Sequence, residues 1–204
     1  MRPFSRQEFL VVSFIFLTIV LVSLYNFSIA NRRGRDAQRK SDIGAITDAL
    51  NKYGNDFATF PEASPDGKII ACKGELMHAQ DEGGNPTFIY SLVPCEWGQD
   101  ALQDINDPDY PVYIATLPIE PQHKEGISYV YLSNRKRFQI LASLEGKSED
   151  EYDLEIEVRA INCGVRICNF GRSSGTTPLD RSIEKYENEL MEEELKTKSD
   201  EIKI

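Results

Sequence analysis

Histidine is nearly absent from this chain, with only His78 and His123 among 204 residues, and tryptophan occurs once. Neither histidine stands at a recognisable spacing from a nucleophile. There is no Gly-x-Ser-x-Gly turn and no phosphate-binding glycine loop, so no catalytic constellation is present and enzyme chemistry is not expected. Both histidines read as loop residues. Basic residues are outnumbered, with 23 Lys and Arg against 33 Asp and Glu and a net charge of −10. General nucleic-acid binding draws on clustered Lys and Arg, so no direct contact with DNA or RNA is expected. The four cysteines include no Cys-x-x-Cys pair, which argues against a zinc knuckle. No internal repeat is visible.

Charge is also missing from one long stretch. Nothing between Glu8 and Arg32 is ionisable apart from Tyr25, and residues 9–25 (FLVVSFIFLTIVLVSLY) are broken only by Ser13, Thr18 and Ser23. Residues 9–31 would make about 34 Å of helix, enough for a hydrocarbon core of roughly 30 Å. A helix apolar on every face could hardly be covered by so small a domain. A cleaved secretory signal is the competing reading, with Ser28 and Ala30 as the small residues of a cleavage site. The length of the run and the carboxylate of Glu8 at its edge favour a retained anchor. Arg32, Arg33, Arg35, Arg39 and Lys40 follow the run and, taken alone, would keep the main domain in the cytoplasm. Cys72, Cys95, Cys163 and Cys168 point the other way, because an even set in a small domain beyond a membrane segment favours disulfides and an oxidising exterior. Of the three connectivities, Cys72 with Cys95 and Cys163 with Cys168 is favoured because each closes a local loop.

Past the membrane run the pattern stays helical. Ile43, Ile46, Leu50 and Tyr53 recur at steps of three, four and three, one apolar stripe on a polar helix. No proline interrupts residues 5–54, so one helix is expected there, with Gly54 and Asn55 as the stop and a bend allowed at Gly34. Residues 55–110 read as loop-rich, with turns at residues 64–67 and 82–86, a short strand at 68–72 and a short helix at 97–105. Residues 128–132 (SYVYL) and 137–143 (RFQILAS) read as strands joined by a hairpin loop. Residues 153–160 (DLEIEVRA) alternate strictly and predict a third strand of an antiparallel meander. Residues 179–204 form an acidic, helix-favouring tail whose sparse apolar positions predict a solvated or frayed helix rather than a docked one.

The acidity is localised. Residues 145–157 carry seven acids against Lys147, and residues 180–204 carry nine acids against five bases. Within the first run Glu149, Asp150, Glu151 and Asp153 are the candidate ligands for calcium, a hard cation that takes carboxylate oxygens. Their spacing matches no defined loop, so the run reads as solvated surface and no metal or other cofactor is expected.

The opening FSRQEFLVV, with Phe4 and Glu8 four positions apart ahead of an apolar helix, resembles the amino end of type IV pilins and type II secretion pseudopilins. The stretch RDAQRKSD at residues 35–42, followed by the amphipathic helix and by Phe60 and Pro61, is similar to the stalk of pilin-like proteins. LPIEP at 117–121, ahead of Tyr129 and Tyr131, and FQILASLE at 138–145 resemble the loop and strand pair of the major pseudopilin group. The resemblance covers residues 4–61 and 110–145. It implies an α+β fold, with a long amino-terminal transmembrane and stalk helix packed on a small antiparallel sheet and followed by an acidic tail. It divides the chain into a short leader at 1–3, a transmembrane half at 4–31, a stalk at 32–54, a globular domain at 55–178 and the tail at 179–204.

The same resemblance implies cleavage by a prepilin peptidase between Pro3 and Phe4, and assembly through Glu8 and the free amine of Phe4. Its partners would be other pilin or pseudopilin subunits and the membrane, with the amino terminus cytoplasmic and the domain outside. Pro3 stands where the family has glycine, and Arg6 and Gln7 stand where it has apolar residues. These departures point to a minor subunit of a pilus, pseudopilus or DNA-uptake filament. The alternative is a monomeric surface-anchored binding module with the same shape.

Overall fold

The computed structural model describes residues 5–80, 83–107 and 109–201. Pro3 and Phe4 lie outside the described residues, as do Glu82 of the expected turn and residues 202–204 of the tail. The chain is α+β, with one long apolar amino-terminal helix and small antiparallel sheets.

Helix α1 (Arg6–Phe57) runs unbroken for 52 residues. Its first half is exposed on all sides, from Phe9 at 65% to Phe27 at 64%, and one 18-residue window there has a mean hydropathy of 2.3. This stretch is long and apolar enough to cross a membrane. From Asp36 onward the helix is covered on one side. Gly54 does not stop it; the helix continues for three more residues and ends at Ala58, which takes a left-handed conformation with φ 56°. Gly54 instead makes room for Phe60, since a Cβ there would come within 2.5 Å of that ring.

The stripe packs on the sheet formed by β4 (Val130–Ser133), β5 (Phe138–Ala142) and β8 (Phe170–Ser173), in the antiparallel order β4-β5-β8. Ile43, Ile46 and Leu50 are fully buried with Tyr129, Tyr131, Phe138 and Ile140, and Tyr53 sits at the edge of the same core. Phe60 and Phe138 meet edge to face at 4.8 Å, and the Tyr131 hydroxyl donates to the Pro61 carbonyl at 2.9 Å. All five residues of β5 are buried, because the sheet is covered on both faces. On the second face Leu141, Ile156 and the Cys163–Cys168 pair form a smaller core.

That second layer corrects the expected third strand. Residues 153–160 hold a short helix, α2 (Leu154–Val158), and β8 takes the place beside β5. Asp153 caps α2 by accepting from the Glu155 N–H at 2.8 Å, and Ile156 alone is buried while Leu154 and Val158 are exposed at 64% and 82%. One buried residue per turn is all that the alternation supplied, and a strong N-cap with Leu and Glu favours the helix. The expected helix at 97–105 is also absent. Gly98 has φ 77°, and Leu102 bridges Ile114 in antiparallel fashion, which diverts the backbone donors a helix would use.

A second sheet contains β1 (Glu62–Ala63), β2 (Ile69–Gln80) and β3 (Pro86–Pro94). The strand expected at 68–72 is therefore only the root of a long hairpin. Its outer part exposes Leu76, Met77, Phe88 and Ile89, so no one-sided hydrophobic period marks it in the sequence. His78 lies in this hairpin against Phe88 at 4.6 Å rather than in a loop. A two-stranded pair, β6 (Asn162–Cys163) and β7 (Arg166–Ile167), completes the strands.

The tail forms α3 (Ile183–Glu201), and its start is docked, contrary to expectation. Ile183 is buried, Glu187 accepts from Arg137 Nε at 2.5 Å, and Glu189 accepts from Arg181 Nη1 at 2.6 Å. Met191 and Leu195 beyond are exposed. Leu50→Ala should destabilise the detergent-solubilised chain by about 2–5 kcal/mol, as for other buried leucines. Chemical denaturation checks this, and an unchanged midpoint would contradict the packing described.

Candidate functional site

Two places on α1 concentrate polar chemistry: its exposed start and the point where it enters the domain. At the start, Ser5 is the N-cap and closes a capping box with Glu8. The Glu8 carboxylate accepts from the Ser5 N–H at 2.7 Å, and Ser5 Oγ accepts from the Glu8 N–H at 3.3 Å. Ser followed three residues later by Glu ahead of an apolar run is a signature of such a box. Glu8 marks the membrane edge and, by the resemblance, an assembly residue; its place three residues after Ser5 gives it the further role of a helix cap. Of the residues expected to act at this end, Glu8 is thus held on its own helix terminus, and Phe4 falls outside the described residues.

At the entry to the domain lies an ion cluster that the sequence reading did not anticipate. Arg39 is 0% exposed, as is Asp36, and Glu120 is 1% exposed. Arg39 Nη1 donates to Asp36 Oδ1 and to Glu145 Oε1, each at 2.8 Å. Arg39 Nε donates to Glu120 Oε1 at 2.7 Å, and Nη2 donates to Gln122 Oε1 at 2.8 Å. Arg35 closes the outer side with a two-pronged pair to Glu145, at 2.6 and 2.7 Å. Asp36 also accepts the backbone N–H groups of Glu145 and Gly146 at 2.9 and 3.0 Å. The planar guanidinium suits this role because its donors point in fixed directions that a lysine cannot reproduce.

The signal for this cluster was present in the stripe itself. Stepping back from Ile43 by four and three reaches Arg39 and Asp36, so the same helix face that is apolar higher up is charged lower down. Glu120 comes from the LPIEP loop and Glu145 from the end of FQILASLE. One turn further up, the Tyr129 hydroxyl donates to Asp42 at 2.6 Å. Burial pushes the Asp42 carboxyl above its ordinary range, and the bond from Tyr129 works against that.

Glu145 is pulled down to about 2, first by the hydrogen bonds from Arg35 and then by Arg39, against an upward push from burial. A carboxylate whose folded value lies below its unfolded one stabilises the fold above its ordinary value, and that contribution is lost as pH falls through the folded value.

The disulfides join Cys72 to Cys95 and Cys163 to Cys168. The first ties β2 to the residue after β3, and the second closes the β6–β7 turn. The calcium candidates are dispersed among other tasks. Glu149 and Glu151 meet Lys40 at 3.0 and 3.2 Å, Glu151 also approaches Arg172 at 3.6 Å, Asp153 caps α2, and Asp150 is exposed. Among the described residues no group of three His, Cys, Asp or Glu is placed to hold a metal. His123 sits in a one-turn 3-10 helix (His123–Glu125), with Nδ1 3.0 Å from the Glu120 carbonyl.

Compared with known protein families, characterised proteins and solved structures, the chain has no match.

Two outcomes test the cluster. Arg39→Met leaves buried carboxylates without their cation and should destabilise the protein by about 3–5 kcal/mol, with Arg39→Lys restoring only part of the loss. Thermal melts as a function of pH should show the difference between the native protein and Glu145→Gln shrinking as pH falls from about 4.5 towards 2. A pH-independent difference would contradict the assignment of Glu145 as ionised and paired.

Proposed function

We propose that this protein is a structural subunit of a type IV pilus-like filament, a secretion pseudopilus or a DNA-uptake filament, held in the membrane by the first half of α1. One observation carries the reading. Three of the separate stretches on which the resemblance to pilin-like proteins rests, RDAQRKSD, LPIEP and FQILASLE, meet in a single buried ion cluster around Arg39. That cluster fixes a projecting helix to its domain, as a rod-shaped subunit requires. Identical helices stacked with a constant offset make a head-to-tail contact that does not close, and such contacts generate helical filaments.

In this reading Glu8 leaves or shares its cap to meet a cation on the neighbouring subunit, the free amine of Phe4 after cleavage behind Pro3. A carboxylate at the edge of a lipid-embedded helix is costly unless it is so partnered. The two disulfides support an extracytoplasmic domain with the amino terminus in the cytoplasm, because such bonds persist in oxidising compartments. The subunit's partners are other subunits of its kind and the membrane.

A second reading is favoured by the capping box. Glu8 is already hydrogen-bonded within its own chain, which suits a solitary surface-anchored module that does not polymerise. Glu8→Gln separates the two, since glutamine keeps the box but lacks the charge. Filament assembly requires that Glu8→Gln and Glu8→Ala both lose incorporation while still inserting into the membrane, as read by cross-linking to neighbouring subunits in cells. Normal incorporation of Glu8→Gln would leave Glu8 a helix cap and favour the solitary anchor. The orientation has its own test, labelling of intact cells that carry Ser148→Cys, an exposed position, with an impermeant thiol reagent. Labelling of that cysteine is expected, and protection from the reagent would place the domain in the cytoplasm.

A further inference from the structure

The cations along the base of α1 are unequally matched. Arg35, Arg39 and Lys40 all meet carboxylates. Arg32 forms no ion pair among the described residues, and its Nε is buried without a hydrogen-bond partner. Arg32 is also the first charged residue after the bare apolar run, at the level where the helix would leave a bilayer core. Its guanidinium lies against Gly146, where a Cβ would come within 3.0 Å of Arg32 Nη1. The loop glycine thus leaves the space that the arginine occupies.

Arg32 lines a cavity of about 460 Å³ together with Lys147 and Arg166. Arg166 is presented by β7, on the turn closed by the Cys163–Cys168 disulfide, and among the described residues it too forms no ion pair. The nearest carboxylate to Lys147 is Glu157, at 3.9 Å. Two acids line the same cavity. Glu145 is already engaged by Arg35 and Arg39, which leaves Glu157 alone facing three cations. A concave site at the membrane surface with surplus donors and a buried, unused N–H suits an anion with several acceptor oxygens.

We propose that this cavity binds a phosphate ester, supplied in the membrane by the headgroup of an anionic phospholipid. The site would take the lipid from the leaflet that α1 enters on the domain side, with Arg32 and Arg166 as the direct donors. It would give the basic residues after the membrane run a local task that does not depend on which compartment holds the domain. The inference needs only the membrane-spanning helix, so it stands or falls apart from the filament reading.

The test uses the full chain in neutral detergent micelles, titrated separately with phosphatidylglycerol, phosphatidylcholine and inorganic phosphate, with bound molecules counted by native mass spectrometry. One phosphatidylglycerol per chain is expected, bound at least tenfold more weakly by the Arg32→Gln, Arg166→Gln double variant. Neither arginine is ion-paired among the described residues, so the unliganded double variant should melt with the native protein; if it does not fold, Arg166→Gln alone carries the comparison. Arg33→Gln removes the same charge one position away, outside the cavity, and should bind as the native protein does. Equal loss in Arg33→Gln, or undiminished binding in the double variant, would overturn the site in favour of diffuse surface charge. Saturation by inorganic phosphate as readily as by the lipid would keep the phosphate site and overturn the lipid as its source. No binding of any of the three would overturn both.

Discussion

Arg39 is the residue on which the arrangement of this molecule depends. A guanidinium wholly removed from water is tolerable only if its donors are met, and here Asp36, Glu120, Glu145 and Gln122 meet them. Those partners come from the helix itself, from the loop before β4 and from the loop after β5. The helix therefore cannot slide or rotate against the domain without leaving a buried charge unmatched. Burial of apolar surface supplies more of the stability, but it is non-directional and would allow neighbouring registers. The ion cluster selects one of them.

The apolar stripe and the charged stripe are one face of one helix. Above the cluster Ile43, Ile46 and Leu50 fill the space over β5, and below it the helix leaves the domain and becomes apolar all round. The changeover falls between Arg32 and Arg39, where the protein concentrates its cations. Arg35 and Lys40 fasten the loops that follow β5 through Glu145 and Glu149. The acidic run at 145–157, which read as solvated surface or a weak calcium site, thus serves in part as the counter-charge of the stalk. Ile156 of α2 and the Cys163–Cys168 pair cover the far side of the sheet at Leu141, and Gln139 is met there by the carbonyls of Pro178 and Arg181, which is why β5 is buried on both faces.

Much of this was legible in the residues. The continuous helix follows from the absence of proline, its bare first half from the absence of charge, the stripe from its three-and-four spacing, and β4 and β5 from their apolar, β-branched and aromatic runs. What could not be read depended on pairings distant in sequence. Nothing local in residues 153–160 says that β8 occupies the edge of β5 and leaves those residues to form a helix. The outer hairpin of β2 and β3 is exposed on both faces, so it carries no period to detect. The buried cluster joins residues 81 and 106 positions apart, and only its Asp36–Arg39 half lies within one helix turn. The Ser5–Glu8 box, by contrast, was local and was overshadowed by the assembly role assigned to Glu8.

The proposed role follows from joining these parts: a helix long and apolar enough to span a bilayer, a stalk fixed to its domain by charge, and a carboxylate that is capped at home and, in the proposed filament, meets a neighbour's amine. Whether that amine exists is the most direct question that can be put to the account. Mass spectrometry of the amino terminus of the native protein, extracted from membranes, answers it. The account predicts a chain that begins at Phe4, four residues before Glu8. A chain that still begins at Met1 would contradict it in favour of the solitary anchor, and one that begins at Asn31 would remove the anchor altogether.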